Sequence, residues 1–317
     1  MGREEKTVTR RKTMTTPALY KSSDAFADMY TPRIGEFIEA GRNAGLSPAH
    51  KSSRKVALVI VDNQWDFCHP TGNLPVPGSQ ADVDRLIKFI YNNGDDITTI
   101  LYSMDTHSTH HIFFEGWWVD RDGNHPAPYT YMTADDVLKG KWRPLYHPRW
   151  SVDYVNILGA HMIWTYHCEF GTPGWSLMPA LSEAIAWHSA GRRSEAIQLM
   201  KGNTPRTEYF GIFGAMVPDP EDPNASGMNV PMLDLLAKND LIYVAGEAKS
   251  HCVLETMKQL VAHFGADPAM LSKVRFLMDC TSSVVAPGID FEAIAMAELN
   301  RMKGLGVQLV QSTDPIK

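Results

Sequence analysis

Hydrophobic runs alternate with amphipathic segments along the chain from residue 55 onward. Runs rich in aliphatic and β-branched residues predict strands, and segments with helical spacing of apolar residues predict helices between them. The predicted strands are 56–62, 97–105, 196–201, 241–246, 274–279 and 307–312, and the helices are 81–93, 251–265 and 291–304. Because these strands are apolar on both faces, they indicate a mainly parallel sheet covered by helices on each side. We therefore expect an α/β protein with a three-layer α/β/α, doubly wound architecture.

The same pattern divides the chain into an arm and one large domain. Residues 1–53 predict an N-terminal arm, polar and basic up to about residue 20 and therefore partly disordered, then partly helical with a cap at Ser22 or Ser23. Residues 54–317 predict the α/β domain. Two segments interrupt its rhythm, at about 112–163 and about 203–230. Long segments without regular pattern indicate a function or an interface, so we expect both insertions on the face that carries the site.

The amino-acid composition limits which partners and which cellular location we expect for this protein. The chain has 317 residues, of which 44% are hydrophobic and 21% charged, with a net charge of −6. This balance predicts a globular protein and excludes a broad basic surface for nucleic acid. We find no apolar run of membrane-spanning length and no secretory h-region, so no membrane partner is expected. The 4 cysteines are widely spaced without a CxxC pair, which favours a reducing, cytoplasmic location over disulfides.

Four reactive side chains follow predicted strands. Cys252 lies shortly after one strand, where a helix start would offer free N–H groups and a positive dipole end that favour a thiolate. Asp62, Lys201 and Asp105 each end another strand. Since open α/β sheets hold their ligands at the carboxyl ends of strands, these residues are expected to converge. Asp66 competes with Asp62, although a turn or capping role suits it, and Lys201 alone would be interpreted as a surface residue.

Histidines and a carboxylate suggest a metal site. The segment DTHSTHH places Asp105 and His107 two residues apart on extended backbone, so that their side chains point the same way. A carboxylate and an imidazole suit a divalent cation, with a further histidine arriving from elsewhere. A hydrophilic loop that happens to be rich in histidine is the alternative. His167, in WTYHCEFGTPG, would be taken as structural or solvated if considered alone.

Five motifs occur in a fixed order: VDNQWDF, DTH, HCEFGTPG, KG and GEAKSHCV. In that order they resemble the nicotinamidase branch of the isochorismatase-like cysteine hydrolases. The resemblance covers roughly residues 55–111, 164–202 and 240–312. One such motif would be a weak signal, whereas five in order are specific. The resemblance implies the isochorismatase-like fold, with a Rossmann-like topology.

The resemblance also implies how the reactive residues work. It implies a catalytic triad of Asp62, Lys201 and Cys252. It implies a non-proline cis peptide between Glu247 and Ala248, which would turn the N–H of Ala248 toward the N–H of Cys252 to form an oxyanion hole. Lys201 and the helix start would together lower the pKa of the thiol.

The implied metal site and pocket involve further residues. A divalent ion, expected to be zinc although iron or manganese suits the same donors, would be held by Asp105, His107 and His167. A fourth histidine of the family falls on His111, with His110 as the less favoured candidate. Isochorismatase-type relatives generally lack this metal set, which places the resemblance in the nicotinamidase branch. The aromatic walls of the substrate pocket fall on Phe67 and Trp164.

The implied activity is hydrolysis of a small aromatic amide, nicotinamide to nicotinate and ammonia, through a cysteine thioester. A related amidase for a different or larger amide is one alternative. A facial-triad metal oxygenase would leave Cys252 and Lys201 without a role, and a non-catalytic binding scaffold would not need a filled triad. The chain departs from the family in its arm, its 112–163 insertion and the residues Glu247, Lys249 and Ser250, which we expect to affect substrate choice. The only expected partners are the small amide and further copies of the chain in a homo-oligomer.

Overall fold

The computed structural model describes residues 16–265, 267–286 and 288–316. The polar start of the predicted arm, residues 1–15, lies outside the described residues. Farther on, the arm has a short 3-10 turn at Ser22–Phe26 and a helix at Ile34–Asn43. Arg33 anchors it to the domain, because its Nε donates to Glu183 Oε1 at 2.9 Å.

The predicted parallel sheet is confirmed. The strands are β1 (Val56–Val61), β2 (Thr99–Asp105), β3 (Trp118–Val119), β4 (Tyr131–Thr133), β5 (Arg143–Pro144), β6 (Ala160–Met162), β7 (Ile197–Lys201), β8 (Leu241–Gly246), β9 (Val274–Leu277) and β10 (Gln308–Val310). Six of them form one sheet in the order β10-β9-β8-β1-β2-β7, and every neighbouring pair in it is parallel. β1 lies between β8 and β2, so the chain runs outward from the centre in both directions, as in a doubly wound fold.

Helices cover both faces of this sheet. They are α1 (Ile34–Asn43), α2 (Trp65–Cys68), α3 (Ser79–Asn92), α4 (Ala134–Leu138), α5 (Pro148–Leu158), α6 (Pro179–Arg192), α7 (Pro223–Ser226), α8 (Val230–Ala237), α9 (Leu254–Phe264), α10 (Pro268–Leu271) and α11 (Phe291–Leu305). Leu58 and Ile60 of β1 belong to the core that α3 and α6 cover. Val59 and Val61 belong to the opposite core, under α8, α9 and α11. This alternation confirms the three-layer α/β/α prediction. None of the helices in the described residues is long and apolar enough to cross a membrane.

The hydrophobic pattern did not predict α6. This helix is buried on most of its circumference, including Leu181, Trp187 and Arg192, because α1 of the arm packs on its outer side. A helix that is buried nearly all round lacks the single apolar stripe that marks an amphipathic helix. Because the arm covers its outer face, α6 has no polar stripe, and the hydrophobic pattern does not identify it as a helix.

Both insertions leave the sheet at its carboxyl edge. The 112–163 insertion follows β2 and contains two short antiparallel pairs, β3 with β5 and β4 with β6. The 203–230 insertion follows β7. The two are hydrogen-bonded to each other, since Trp150 Nε1 donates to Arg206 O at 2.8 Å and Ile112 N–H donates to Pro205 O at 2.9 Å.

Candidate active site

Four strand ends bring the predicted triad residues and Asp105 together. The Nζ atom of Lys201 lies 3.0 Å from Asp62 Oδ2, 3.0 Å from Asp105 Oδ1 and 3.6 Å from Cys252 Sγ. It also donates to the carbonyl of Tyr209 at 2.6 Å. All four reactive side chains are buried. The convergence expected at the carboxyl edge of a parallel sheet is therefore present, with the lysine ammonium at its centre.

Two glycines permit this close approach. Gly202 follows Lys201 with φ +75°, and a Cβ there would lie 2.8 Å from Asp105 Oδ1. Gly246 ends β8 with φ +120°, and a Cβ there would lie 2.1 Å from the carbonyl oxygen of Val61. Positive φ without a side-chain penalty is the property that glycine supplies. The KG and GEA motifs thus have a steric explanation.

Cys252 lies in a tight turn between β8 and α9. The turn, Lys249–Val253, has π-helical geometry, so α9 begins at Leu254, a little later than the sequence predicted. The N–H groups of His251 and Val253 both donate to the carbonyl of Ala248. The non-proline cis peptide implied by the resemblance is present between Glu247 and Ala248.

The pKa of the Cys252 thiol shifts in the direction opposite to the prediction. Burial raises the pKa of the Cys252 thiol well above its usual range, and Lys201 opposes this shift without reversing it. The expected lowering of this pKa was wrong, because sequence position does not reveal how completely the sulfur is desolvated. Burial also raises the pKa of Asp62, against the opposing charge of Lys201. Proton transfer from the thiol to a nearby base therefore has to accompany any attack by sulfur.

The structure distinguishes Asp62 from its competitor Asp66. Asp62 Oδ1 accepts a hydrogen bond from Ser103 Oγ, and its other oxygen faces Lys201. The Asp66 carboxylate instead accepts hydrogen bonds from two backbone N–H groups. The Asn73 nitrogen lies 2.9 Å from Oδ1, and the Cys168 nitrogen lies 2.7 Å from Oδ2. Asp66 therefore has the turn-forming role, and it ties the VDNQWDF segment to the HCEFGTPG segment.

Beside the triad lies the predicted metal cluster. Asp105 Oδ2 is 3.5 Å from His107 Nδ1 and 3.5 Å from His167 Nε2, and donor atoms of the three residues lie within 4.8 Å of one another. Gln64 fixes the backbone of Asp105, because its side chain donates to the Asp105 carbonyl and accepts from the Asp105 N–H. Buried imidazoles and a carboxylate at this spacing fit a divalent cation.

Glu208 is a residue of this cluster that the sequence did not reveal. Its Oε2 lies 3.2 Å from His107 Nε2 and 3.8 Å from His111 Nδ1. Burial alone would raise its pKa, but the charge and hydrogen bond of His107 and the charge of His111 together outweigh burial and lower the pKa of Glu208 to about 2. His111 thus lies in a second donor group with His107 and Glu208. His110 is exposed, so of the two candidates it is His111 that lies beside the cluster.

The insertions position Glu208. Its N–H donates to the Tyr154 hydroxyl of α5 at 3.1 Å, and Tyr154 is fully buried. His111 Nε2 lies 3.2 Å from the carbonyl of Thr207. Glu208 was not predicted as a site residue because it lies in a segment rich in proline and glycine, which contains no predicted strand and no motif. Its burial depends on residues of the other insertion.

A pocket joins the cluster to the sulfur. It is lined by the reactive residues Asp105, His167, Glu208 and Cys252, and by Phe67, Leu74, Trp164, Phe210, His251 and Val284. The predicted aromatic walls Phe67 and Trp164 are therefore both at the pocket. Burial lowers the pKa of His251 to about 4, so this imidazole is neutral and adds to the weakly polar wall. The aromatic and weakly polar lining suits a ring placed between a cation site and a nucleophile.

Comparisons with known proteins agree with this geometry. No protein-family model matches the chain. The nicotinamidase of Saccharomyces cerevisiae is 25% identical over 203 residues, which cover 63% of this chain and 78% of that protein.

Solved structures share the fold. A nicotinamidase/pyrazinamidase of Acinetobacter baumannii superposes with a TM-score of 0.54 at 22% identity, covering 83% of this chain and 99% of that one. The yeast nicotinamidase bound to the inhibitor nicotinaldehyde gives a TM-score of 0.54 at 19% identity, covering 81% and 99%. At such identities the structures establish the fold, and the sequence match adds a similarity to a nicotinamidase. With its five ordered motifs, its sheet and its sequence relative, the chain is similar to the isochorismatase-like nicotinamidases, a family of amide carbon–nitrogen hydrolases.

Proposed function

We propose that this protein is a metal-containing cysteine amidohydrolase that converts nicotinamide to nicotinate and ammonia. The observation that carries the proposal is the contact of Lys201 with both Asp62 and Cys252, beside a pocket that Cys252 and Asp105 both line. A facial-triad oxygenase would have no use for this buried lysine and thiol. A larger amide would have to fit between Trp164 and Val284, which both line the pocket.

In the first half of the reaction, Asp62 accepts the thiol proton as the sulfur of Cys252 attacks the amide carbon. The N–H groups of Ala248 and Cys252 would hold the oxyanion. The tetrahedral intermediate then collapses, and Asp62 returns its proton to the leaving nitrogen. Ammonia departs and a thioester on Cys252 remains.

In the second half, Asp62 takes a proton from water, and the resulting hydroxide attacks the thioester. Nicotinate leaves, and the proton returns to the sulfur. Throughout, burial would lower the pKa of Lys201, but Asp105 and Asp62 raise it well above its usual range. Lys201 therefore stays an ammonium and stabilises each negatively charged intermediate of the Asp62–Cys252 pair.

The cation would be held by Asp105, His107 and His167, with His111 and Glu208 beside it. When bound, the ion offers a Lewis-acid site for the ring nitrogen of the substrate. Zinc is our predicted ion, since it accepts imidazole and carboxylate donors, as iron and manganese also do. The cluster residues orient the ring, and the triad residues perform the chemistry.

Replacement of His167 by alanine should mainly weaken substrate binding. Loss of one donor is expected to lower metal content and to raise KM for nicotinamide by about 10- to 100-fold, with a smaller change in kcat. Metal content by mass spectrometry and steady-state ammonia release would measure both. His263→Ala in α9, a histidine that pairs with Asp234, is the matched control. If His167→Ala kept both metal content and KM, His167 would not be a ligand.

Ammonia release from nicotinamide, with and without a chelator, tests the proposal itself. We expect stoichiometric nicotinate and ammonia, no oxygen uptake, and a rise in KM after metal removal. Oxygen consumption would favour the oxygenase alternative. Release from other amides but not from nicotinamide would favour the different-amide alternative, and no release from any amide would favour a binding scaffold.

A further inference from the structure

The segment between β9 and α11 separates the substrate pocket from a groove on the surface. We call residues 282–286 and 288–292 the partition. Its Val284 lines the substrate pocket together with His251 and Cys252. Val284 also lines an open groove on the other side, with Val285 and Ile289. Among the described residues that line either space, Val284 is the one they share. Val284 therefore lies between the two spaces.

The turn that carries the nucleophile holds the partition in place. Lys249 N–H donates to Ser282 O at 2.8 Å, Val284 N–H donates to Ser250 Oγ at 3.1 Å, and Ser282 N–H donates to Glu247 Oε2 at 3.2 Å. Glu247, Lys249 and Ser250 are the residues in which the turn departs from the family pattern. They do not line the substrate pocket. Each of them instead bonds the partition.

An ion pair fixes the far end of the partition. Lys249 Nζ lies 2.9 Å from Glu292 Oε1 and 3.2 Å from Oε2, at the start of α11. Glu292 also accepts a hydrogen bond from Ser283 Oγ at 2.6 Å. The ring of Phe291 packs edge-on against His251, with centroids 4.7 Å apart. The partition is thus bonded at several points to the turn that holds Cys252, and its position is coupled to the position of the sulfur.

From these contacts we infer that Val284, held by the contacts of Glu247, Lys249, Ser250 and Glu292, sets the upper size limit of the amide that the enzyme accepts. This inference rests on the proposed function. Unsubstituted single-ring heteroaromatic amides fit behind the partition. A ring substituent directed at Val284 collides with it, although space exists beyond it in the groove. Steric rejection of this kind is how an apolar pocket discriminates between related substrates.

Shortening Val284 should connect the pocket to the groove. The test compares kcat/KM for nicotinamide with kcat/KM for nicotinamides that carry a phenyl group at ring carbon 5 or 6. In Val284→Ala, the ratio of substituted to unsubstituted amide should rise by about ten-fold for at least one ring position. Val285→Ala, which removes the same atoms from the exposed neighbouring residue, should leave the ratio within about two-fold of wild type.

Loosening the ion pair provides a second, independent variant. Glu292→Gln should raise the ratio in the same direction as Val284→Ala. Glu298→Gln on the same helix, where Glu298 pairs with Arg301, is its control. The size limit would be overturned if the wild-type protein hydrolysed nicotinamide and both Val284→Ala and Glu292→Gln left the ratio of substituted to unsubstituted amide unchanged. The proposed function would then stay intact. Absence of nicotinamide turnover in wild type would overturn both.

Discussion

Cys252→Ala should lose ammonia release from nicotinamide, with kcat lowered by about 10⁴-fold or more, while its metal content stays at the wild-type value. The size of the loss follows from removing the atom that forms the covalent intermediate, since the remaining residues of a catalytic unit contribute little without the nucleophile. The metal content should persist because Lys201 separates the sulfur from Asp105. Ammonia assays and metal analysis on one preparation would measure both quantities.

Cys280→Ala is the matched control for this variant. Cys280 is also buried, and its backbone carbonyl accepts a hydrogen bond from the N–H of Gly246 near the turn. We expect it to retain activity. Turnover in Cys252→Ala comparable to that in Cys280→Ala would refute the nucleophile assignment, and the site would then have to work without a thioester.

Lys201→Met should remove activity and also destabilise the fold. Lys201 is the ammonium that faces Asp62 and Asp105, and all three side chains are almost completely buried. Breaking a buried ion pair from one side leaves an uncompensated charge, which costs about 3–5 kcal/mol in the free energy of unfolding. We expect kcat to fall by about 10³-fold or more, because the Asp62 carboxylate and the thiolate both lose their counter-ion.

Urea denaturation and ammonia release would measure the two effects of Lys201→Met. Lys139→Met is the control, since Lys139 forms an exposed pair with Asp135 in the 112–163 insertion. That pair is expected to contribute nothing measurable. An inactive Lys201→Met variant with wild-type stability would contradict the role of Lys201 as the buried counter-ion, and an active one would remove it from the triad.

The sequence predicted the convergence of the reactive residues because sheet geometry and chain order carry that information, whereas the triad itself was implied by the resemblance. Asp62, Lys201 and Cys252 each follow a strand, and parallel strands end at one edge. The convergence could therefore be derived from periodicity. The assignment of roles and the cis peptide at Ala248 came from the resemblance alone. The cytoplasmic location and the homo-oligomer remain predictions from the sequence.

What the sequence could not predict depends on contacts between distant segments. The helix α6 lacks an amphipathic pattern because α1 covers it, and Glu208 gains its place through Tyr154 of the other insertion. The pKa of Cys252 depends on complete desolvation, which local sequence does not report. The roles of Lys249 and Ser250 became clear only when their partners in the partition were known.

The two insertions also have a physical role beyond covering the site. The 203–230 insertion supplies Glu208 to the candidate metal cluster and Phe210 to the pocket, and the two insertions bond each other through Trp150 and Ile112. Each insertion helps to hold the other in place. The site therefore includes insertion residues in addition to those at the strand ends. This explains why buried donors accumulate beside His107.

In the proposed mechanism, Cys252 attacks the amide carbon and carries the acyl group. The most direct test is to acid-quench the enzyme during turnover of nicotinamide and to identify the acylated peptide by mass spectrometry. We predict a nicotinoyl thioester on the peptide that contains Cys252, absent when substrate is omitted and absent in Cys252→Ala. Rapid ammonia release, with the acyl group found on a different residue, would contradict this mechanism.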